Sequence, residues 1–519
     1  MKKTLYILAV LLFDYAFSAA QITEIDALKF IQSDVNGTAR YTSMAGAFGA
    51  LGGDASAIKD NPAGLGIYRS SELTGTLNVI TQNSRAVWDG IKAGDNLYNA
   101  KFDNFSYIIS APTWNQLNQT GKGLLFSNFS FSYNRLKNFD RNSIIQGDAW
   151  ASSMSDYMAF LIDGIAPGDM SYENTNVSWL SVIGFESFLI NETPDGWKSE
   201  LTSGQKTKPR YTLSESGSIN EYAFAWSGNF SNRLYLGAGF NLQTINYYLY
   251  SSYNEEFIDR DGGGYFTLRN EYSTSGIGVN FKVGAIYQPT DFMRLGFSVQ
   301  TPTAFAIEEM YAPSVEYYLH SSTEGKKVSG TSRPQDDNGD RMNGTPRYKI
   351  KNPVQLNAGL AYFFGKKGLL SAEYVYNNYG NTKFYDSNGK ITPADEVTND
   401  NMKNVLQSAH TLKIGAEYRA TDLLSLRAGF ATATAATKSN AQKRMFTNTI
   451  RTDSEYFLHN SANYITAGLG YRGNGWYIDF GWMHKILDES YMPYNTSDID
   501  AAKVTTRNNN FVTTLGLRF

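Results

Sequence analysis

The chain has no cysteine, which excludes disulfides, thiolate metal centres, a thiol nucleophile and a lipidated N-terminal cysteine. Stability must come from backbone pairing and packing. Beyond residue 20 there is no apolar run approaching the roughly 18 residues that a spanning helix needs. Charged residues make up only 18% of the chain and the net charge is −3, which argues against a general nucleic-acid binder. Histidine is scarce as well: His320, His410, His459 and His484 stand apart, without metalloprotease spacing. His410 lies near Ser408, but adjacent strand positions supply no orienting third group for a nucleophile. The sequence is read as that of a protein that is not an enzyme, with no cofactor and no metal. Proline, at 13 residues, leaves long stretches free to pair as strands.

Aromatic residues, by contrast, are abundant, at 14% of the chain with 35 Tyr and 31 Phe. That suits a membrane barrel, in which half of each strand faces lipid and aromatic girdles mark the two interfaces. The chain opens on Met1-Lys2-Lys3, an apolar run over 5–17 and the small residues Ser18-Ala19-Ala20 before Gln21. A basic start, a short apolar centre and a small-residue cut predict a cleavable signal peptide over 1–20.

Leu234, Leu236, Ala238, Phe240 and Leu242 alternate with Tyr235, Gly237, Gly239, Asn241 and Gln243, the period of a strand with two unlike faces. The pattern recurs at 277–287, 293–299, 354–362, 370–376, 412–418, 426–430 and 476–482. Between the apolar positions stand Lys282, Arg294, Glu373, Lys413, Glu417, Arg427 and Asp479, which lipid would not accept. They are expected in the lumen, pairing with one another across a polar interior or, for some, meeting cargo. Connections alternate too. Short turns at 230–232, 288–290, 365–368, 420–422 and 473–475 are interleaved with long polar segments at 253–272, 302–347, 381–407, 432–461 and 487–509. Outer-membrane barrels have this asymmetry of short periplasmic turns and long outer loops.

With further strands near 73–80, 105–110, 124–133, 222–226 and 511–519, about fourteen are counted. The fold class is all-β, a transmembrane antiparallel barrel over 67–519, placed in the outer membrane of a double-membraned bacterium. The longest insertion, 139–211, has room for a short helix at 150–165. The final strand carries Leu515, Leu517 and Phe519 on one face, expected to point into lipid, and its aromatic end resembles the signal read by the barrel-assembly machinery. Two other motifs fail on context. Gly468, Gly470 and Gly473 match a dinucleotide fingerprint in letters but lie in a strand and its turn, where inward glycines relieve crowding. The stretch Asp259-Arg260-Asp261-Gly262-Gly263-Gly264 starts like a calcium loop, yet Gly263 and Asn270 stand where ligands are needed.

Residues 21–66 do not alternate. They are rich in Gly and Ala, which permit tight turns and close backbone contact, and Asn61 before Pro62 marks a sharp extended exit. A compact plug inside a barrel fits this better than a solvated tail. Asn61-Pro62-Ala63, ahead of the first strand and behind Asp54-Ala55-Ser56, resembles the hatch motif of the long-chain fatty-acid transporter (FadL-like) family, which includes aromatic-hydrocarbon channels. The resemblance spans signal peptide, hatch, about fourteen strands and terminal aromatic. It implies an N-terminal hatch at 21–66 plugging the lumen and passive uptake of hydrophobic small molecules, fatty acids or aromatic compounds, that leave sideways into the bilayer. Arg294, Lys413 and Arg427 are the candidate lumen contacts for a carboxylate head group. The alternative is a structural or attachment role in an outer-membrane secretion or surface-interaction system, which the long loops would suit. Expected partners are a hydrophobic ligand, outer-membrane lipid and, during biogenesis, the assembly machinery.

Overall fold

The computed structural model describes residues 23–201, 205–258, 263–321, 326–446, 449–496 and 498–519. The expected signal peptide and Asp259, Arg260, Asp261 and Gly262 lie outside the described residues.

Fourteen strands form one closed antiparallel ring. They are β1 (Glu72–Trp88), β2 (Ile91–Pro112), β3 (Leu124–Asn138), β4 (Lys206–Phe230), β5 (Leu234–Ile258), β6 (Gly264–Thr290) and β7 (Met293–Gln300). The ring continues with β8 (Gln355–Phe364), β9 (Gly368–Asn378), β10 (Ser408–Arg419), β11 (Leu424–Thr434), β12 (Tyr456–Arg472), β13 (Trp476–Met492) and β14 (Ala502–Arg518). Each pairs with the next, and β14 pairs with β1 from Glu72↔Arg518 to Val87↔Lys503, so the ladder has no free edge at the ring's closure. A closed ladder is what the bilayer demands of a strand protein, since lipid offers no partner for a bare N–H or C=O.

The alternation sorts as expected. Leu236, Phe240, Phe281, Leu295, Phe297, Ile414 and Phe480 are exposed on the outside. Lys282, Glu373, Lys413, Arg427 and Asp479 are buried inside. Leu515, Leu517 and Phe519 are 52%, 46% and 67% exposed on the outer face. The apolar belt they join, together with the closed ring, makes the chain an outer-membrane β-barrel.

The strands run further than the alternation suggested. β4, β5 and β6 are 25, 25 and 27 residues long and cover much of the segment 253–272 that reads as loop. The segment 302–347 likewise holds strands Ala304–Ser321 and Lys326–Ser332, and Arg347–Lys351 follows it. On β5 the inward positions Asn241 and Gln243 are polar at membrane height, but Ile245, Tyr247, Leu249, Tyr253 and Phe257 above them are inward and apolar. The oily face switches sides where the wall leaves the bilayer.

These upper walls enclose a cap with its own hydrophobic core. Within the 139–211 insertion, the helix Met154–Phe160 falls inside the expected 150–165 and is started by Ser153 and Asp156 in a capping box. A second helix, Trp179–Glu186, starts at Ser178, whose side chain accepts from Ser181 N. Trp150 anchors the insertion on the barrel, its ring 4.2 Å from that of Trp88 on β1.

Candidate functional site

Residues 23–66 lie inside the ring, and the inner wall is shaped to admit their main chain. Gly237 and Gly284 pair across β5 and β6; a Cβ on the first would overlap Pro62, and on the second the Asn61 side chain. The pattern continues round the ring. A Cβ would lie 2.8 Å from Ala50 N at Gly359 on β8, 2.7 Å from Met44 Cβ at Gly415 on β10 and 2.6 Å from Met44 C at Gly429 on β11. At Gly481 on β13 it would lie 2.8 Å from Ala39 O. Glycine at these places lets backbone lie directly against backbone. The same reason covers Gly468, where a Cβ would overlap Ser43.

The segment is folded by its own short-range bonds. Thr38 Oγ1 and Ser56 N both donate to Asp54 Oδ1, at 2.8 and 2.9 Å. Asn61 is extended, and its Oδ1 accepts from Ala63 N at 3.0 Å to start the 3-10 helix Pro62–Ile67. Pro62 sits at the head of that helix, where no amide donor is needed. Asn61 Nδ2 donates to Gly49 O at 2.7 Å and to Ala285 O of β6 at 3.3 Å, and Ala63 packs against Tyr235 and Ile286. Asn61, Pro62 and Ala63 thus sit together at the wall of β5 and β6.

Charged wall residues hold the segment from the other side. Glu373 on β9 accepts from Phe48 N at 3.0 Å and Gly49 N at 2.6 Å, while its second oxygen takes Lys413 Nζ at 3.1 Å. Lys413 also lies 3.6 Å from Asp60. Arg40 Nε donates to Glu417 Oε2 at 2.8 Å, and the same oxygen accepts from Arg427 Nε at 2.7 Å. Arg427 Nη1 donates to Asp479 at 2.7 Å. Arg294 donates to Leu51 O at 3.0 Å and to Gln288 Oε1 at 3.1 Å and lies over the Phe363 ring; among the described residues it has no ion pair.

The three candidate cations therefore all face the N-terminal segment or its carboxylate partners, and Lys413 and Arg427 both belong to ion pairs. Replacing Arg427 by Ala leaves Asp479 buried beside a lost partner, at a cost of about 3 kcal/mol. The expected result is a lower temperature for heat-modification of the barrel, with equal loss of affinity for carboxylate and hydrocarbon ligands. A loss confined to carboxylate ligands, measured by equilibrium binding, would instead put Arg427 in contact with cargo.

At its other end the segment rises to the cap. The helix Glu24–Ile31 is started by Thr23, with Glu24 and Asp26 in its first turn and Lys29 in its last, as the helix dipole favours. Phe30 packs edge-on to Phe139 and Tyr247, and Lys29 meets Glu215 at 2.6 Å. Asp26 lies 3.3 Å from Lys443 of the cap. Between this helix and the walls is a cavity of about 270 Å³, which neither Arg294, Lys413 nor Arg427 lines.

The cavity lining mixes Ile25, Leu28, Phe457 and Tyr456 with many charged and amide side chains. Among its cations, Arg451 donates to Asp453 at 2.6 Å, Lys485 meets Asp34 at 2.6 Å and Lys137 donates to Lys29 O at 2.8 Å, while Arg141 lies 2.9 Å from Glu489 with its Nε and Nη2 making no hydrogen bond to the described residues. Glu455, in the loop before β12, is pushed up to about 8 by burial and then by the charge of Asp453. Several lining residues were hidden in the sequence: Thr506 and Asn508 fall in the stretch that reads as the last outer loop, yet they belong to β14. On the outer surface His410 Nδ1 lies 2.6 Å from Tyr374 OH, while Ser408 meets Tyr376 OH at 3.1 Å, so the two residues bond different tyrosines.

No protein-family model and no curated protein sequence matches the chain. Solved structures do. A FadL homologue of Pseudomonas aeruginosa is similar with a TM-score of 0.52 at 14% identity, over 94% of this chain and 98% of that chain. The monoaromatic hydrocarbon channel TodX, as its deltaS2 mutant, is similar with a TM-score of 0.50 at 14% identity, over 94% of this chain and all (100%) of that one. The likeness is one of fold.

Proposed function

We propose that the protein is a passive outer-membrane channel for hydrophobic small molecules, in which residues 21–66 form a hatch closing the lumen and cargo leaves sideways through the wall. The observation that carries this reading is a split between β2 and β3 reached by the cavity. The two strands pair only from Pro112↔Phe126 to Asn104↔Asn134, although β2 runs on to Ile91 and β3 to Asn138. Above that point side chains bridge the two: Arg135 donates to Phe102 O at 3.1 Å and lies 3.2 Å from Asp103, and Lys101 meets Asp140 at 2.8 Å.

Asp103, Lys137, Asn138 and Asp140 line the cavity, so it extends to the split from within. From outside, Leu77 and Val79, paired with Phe102 and Ala100, are 61% and 51% exposed, which sets the split at the height of the apolar belt. Side-chain bridges part at lower cost than a strand ladder, because no buried backbone group is left unpaired. A solute able to enter the cavity can pass from there to lipid without crossing the hatch. The fold shared with a FadL homologue and with a monoaromatic hydrocarbon channel supports the same substrate class.

The absence of native cysteine makes the test clean. Cysteines at Lys101 and Asp140, joined by a short bis-maleimide, are expected to reduce entry of the apolar dye N-phenyl-1-naphthylamine to the level of cells lacking the protein. Each single cysteine variant, alkylated, should retain entry. Undiminished entry through the cross-linked protein would rule out exit at this split.

A further inference from the structure

The cavity wall opposite the hatch helix carries a patch of buried oxygen atoms that, among the described residues, accept no hydrogen bond. Asn510, Asn508 and Thr506 follow one another on the inner face of β14, in register with Ile80, Gln82 and Ser84 of β1. Asn78 lies one step along β1, Asp103 beyond it on β2, and Glu489 on β13 on the other side. All six line the cavity. Asn78, Asp103, Thr506 and Asn510 are 2%, 1%, 3% and 6% exposed. Yet the Oδ1 atoms of Asn78, Asp103, Asn508 and Asn510, Oε2 of Glu489 and Oγ1 of Thr506 are buried without a hydrogen-bond partner among the described residues. Buried polar atoms are nearly always paired, and leaving one unpaired is costly. Six on one contiguous patch mark a surface built to be bonded by something else.

The chemistry of the patch selects the occupant. Apart from the Thr506 hydroxyl, the free atoms of these six residues are acceptors, with the unpaired Nε and Nη2 of Arg141 as donors beside Glu489, and Asn78 is held in that orientation because its Nδ2 donates to Asp103 Oδ2 at 2.6 Å. The two carboxylates bring little net charge: Asp103 has Arg135 at 3.2 Å and Glu489 has Arg141 at 2.9 Å, both out of line for a hydrogen bond from those atoms. A fatty-acid carboxylate is acceptor-only: it can accept from Arg141, whose charge Glu489 already offsets, but over the rest of the patch it would face acceptors. A plain hydrocarbon would leave every atom unpaired. An uncharged group with several hydroxyls donates to each of these oxygens and also accepts from Arg141.

Building on the reading of the chain as a channel for hydrophobic molecules, we infer that the cavity holds the uncharged, hydroxyl-rich head of an amphipathic cargo, such as a glycoside or polyol, against the wall formed by β13, β14, β1 and β2. Its apolar tail then lies toward Phe457, Tyr456 and Leu28 on the remaining lining.

Four probes of one chain length separate the outcomes: n-octyl glucoside below its micellar concentration, octanoate, octylammonium and n-octane. Each is titrated into the full-length protein held in phosphatidylcholine nanodiscs. The glucoside is expected to bind at least about tenfold more tightly than any of the others, a difference of about 1.4 kcal/mol. The Asn510→Leu and Asn508→Leu variants should lose that preference while still binding n-octane; Asn508 is only half-buried, so its variant tolerates the change. Equal or tighter binding of octanoate, octylammonium or n-octane overturns the head-group assignment and leaves the hydrophobic-channel reading standing. Binding of none of the four overturns both. The comparison on the unaltered protein does not depend on either variant folding.

Discussion

A barrel lacking residues 23–66, with residues 1–22 retained, is expected to insert and to conduct ions in planar bilayers where the intact protein stays closed. The ring does not need the segment for its ladder, since each of β1 to β14 pairs with its two neighbours in the ring and none of these pairings uses residues 23–66. What the segment supplies is matter in the lumen, from Pro62 against β5 and β6 round to Ala39, whose N–H donates to Thr514 on β14 at 2.7 Å. With it gone, Glu373, Lys413, Glu417, Arg427 and Asp479 line an open polar bore that water can fill, as in porins. The cap should not reseal it, because Ile25, Leu28, Phe30 and Ile31 are part of the cap's own core and leave with the segment. A deletion variant that is inserted and heat-modifiable but conducts no better than the intact protein would refute the hatch reading. Gly429→Leu, which crowds Met44 without shortening the chain, should give the same conductance in part.

The second large effect is expected at Glu373. This one carboxylate receives two backbone amides of the segment, at Phe48 and Gly49, and the Lys413 ammonium. Glu373→Ala strips all three at once and leaves the buried Lys413 cation with the more distant Asp60, at 3.6 Å, and Gly46 O, at 3.5 Å. Removing one partner of such a network costs about 3–5 kcal/mol, more than a surface ion pair of the same length would. Hydrogen exchange at the amides of Phe48 and Gly49 is the direct reading, with each 1.4 kcal/mol of local stability worth about tenfold in rate. Glu373→Gln keeps a carbonyl for the amides and loses the charge, so its exchange should fall between the two. Unchanged protection in Glu373→Ala would show that the glycine contacts alone seat the segment.

The membrane part of the ring was legible because lipid and lumen impose opposite demands on alternate residues, and Leu236 against Gly237 or Ile414 against Lys413 record that demand directly. The upper wall was not, and β5 shows why. Above Gln243 the protein exchanges a watery lumen for an oily cap, so Ile245 and Tyr247 turn apolar on the face that had been polar. A pattern that changes phase within one strand reads as irregular loop. The charged lumen residues could be placed by alternation, but their pairing could not, since Arg40 reaches Glu417 from a separation of 377 residues. The polar patch was hidden for a simpler reason. Thr505-Thr506-Arg507-Asn508-Asn509-Asn510 has a turn-like composition, and only its register with β1 shows it to be wall. Inward glycines were visible as relief of crowding, though nothing in the letters says that what crowds them is another stretch of main chain.

The closure of the ring also fastens the root of the inner segment. Ser71, where the inner segment gives way to the first strand, exchanges both backbone hydrogen bonds with Phe519, at 3.0 and 3.1 Å. The passage from inside to wall is therefore stitched beside the strand that shuts the circle. A change that opens the seam between β1 and β14 thus also loosens the root of the inner segment.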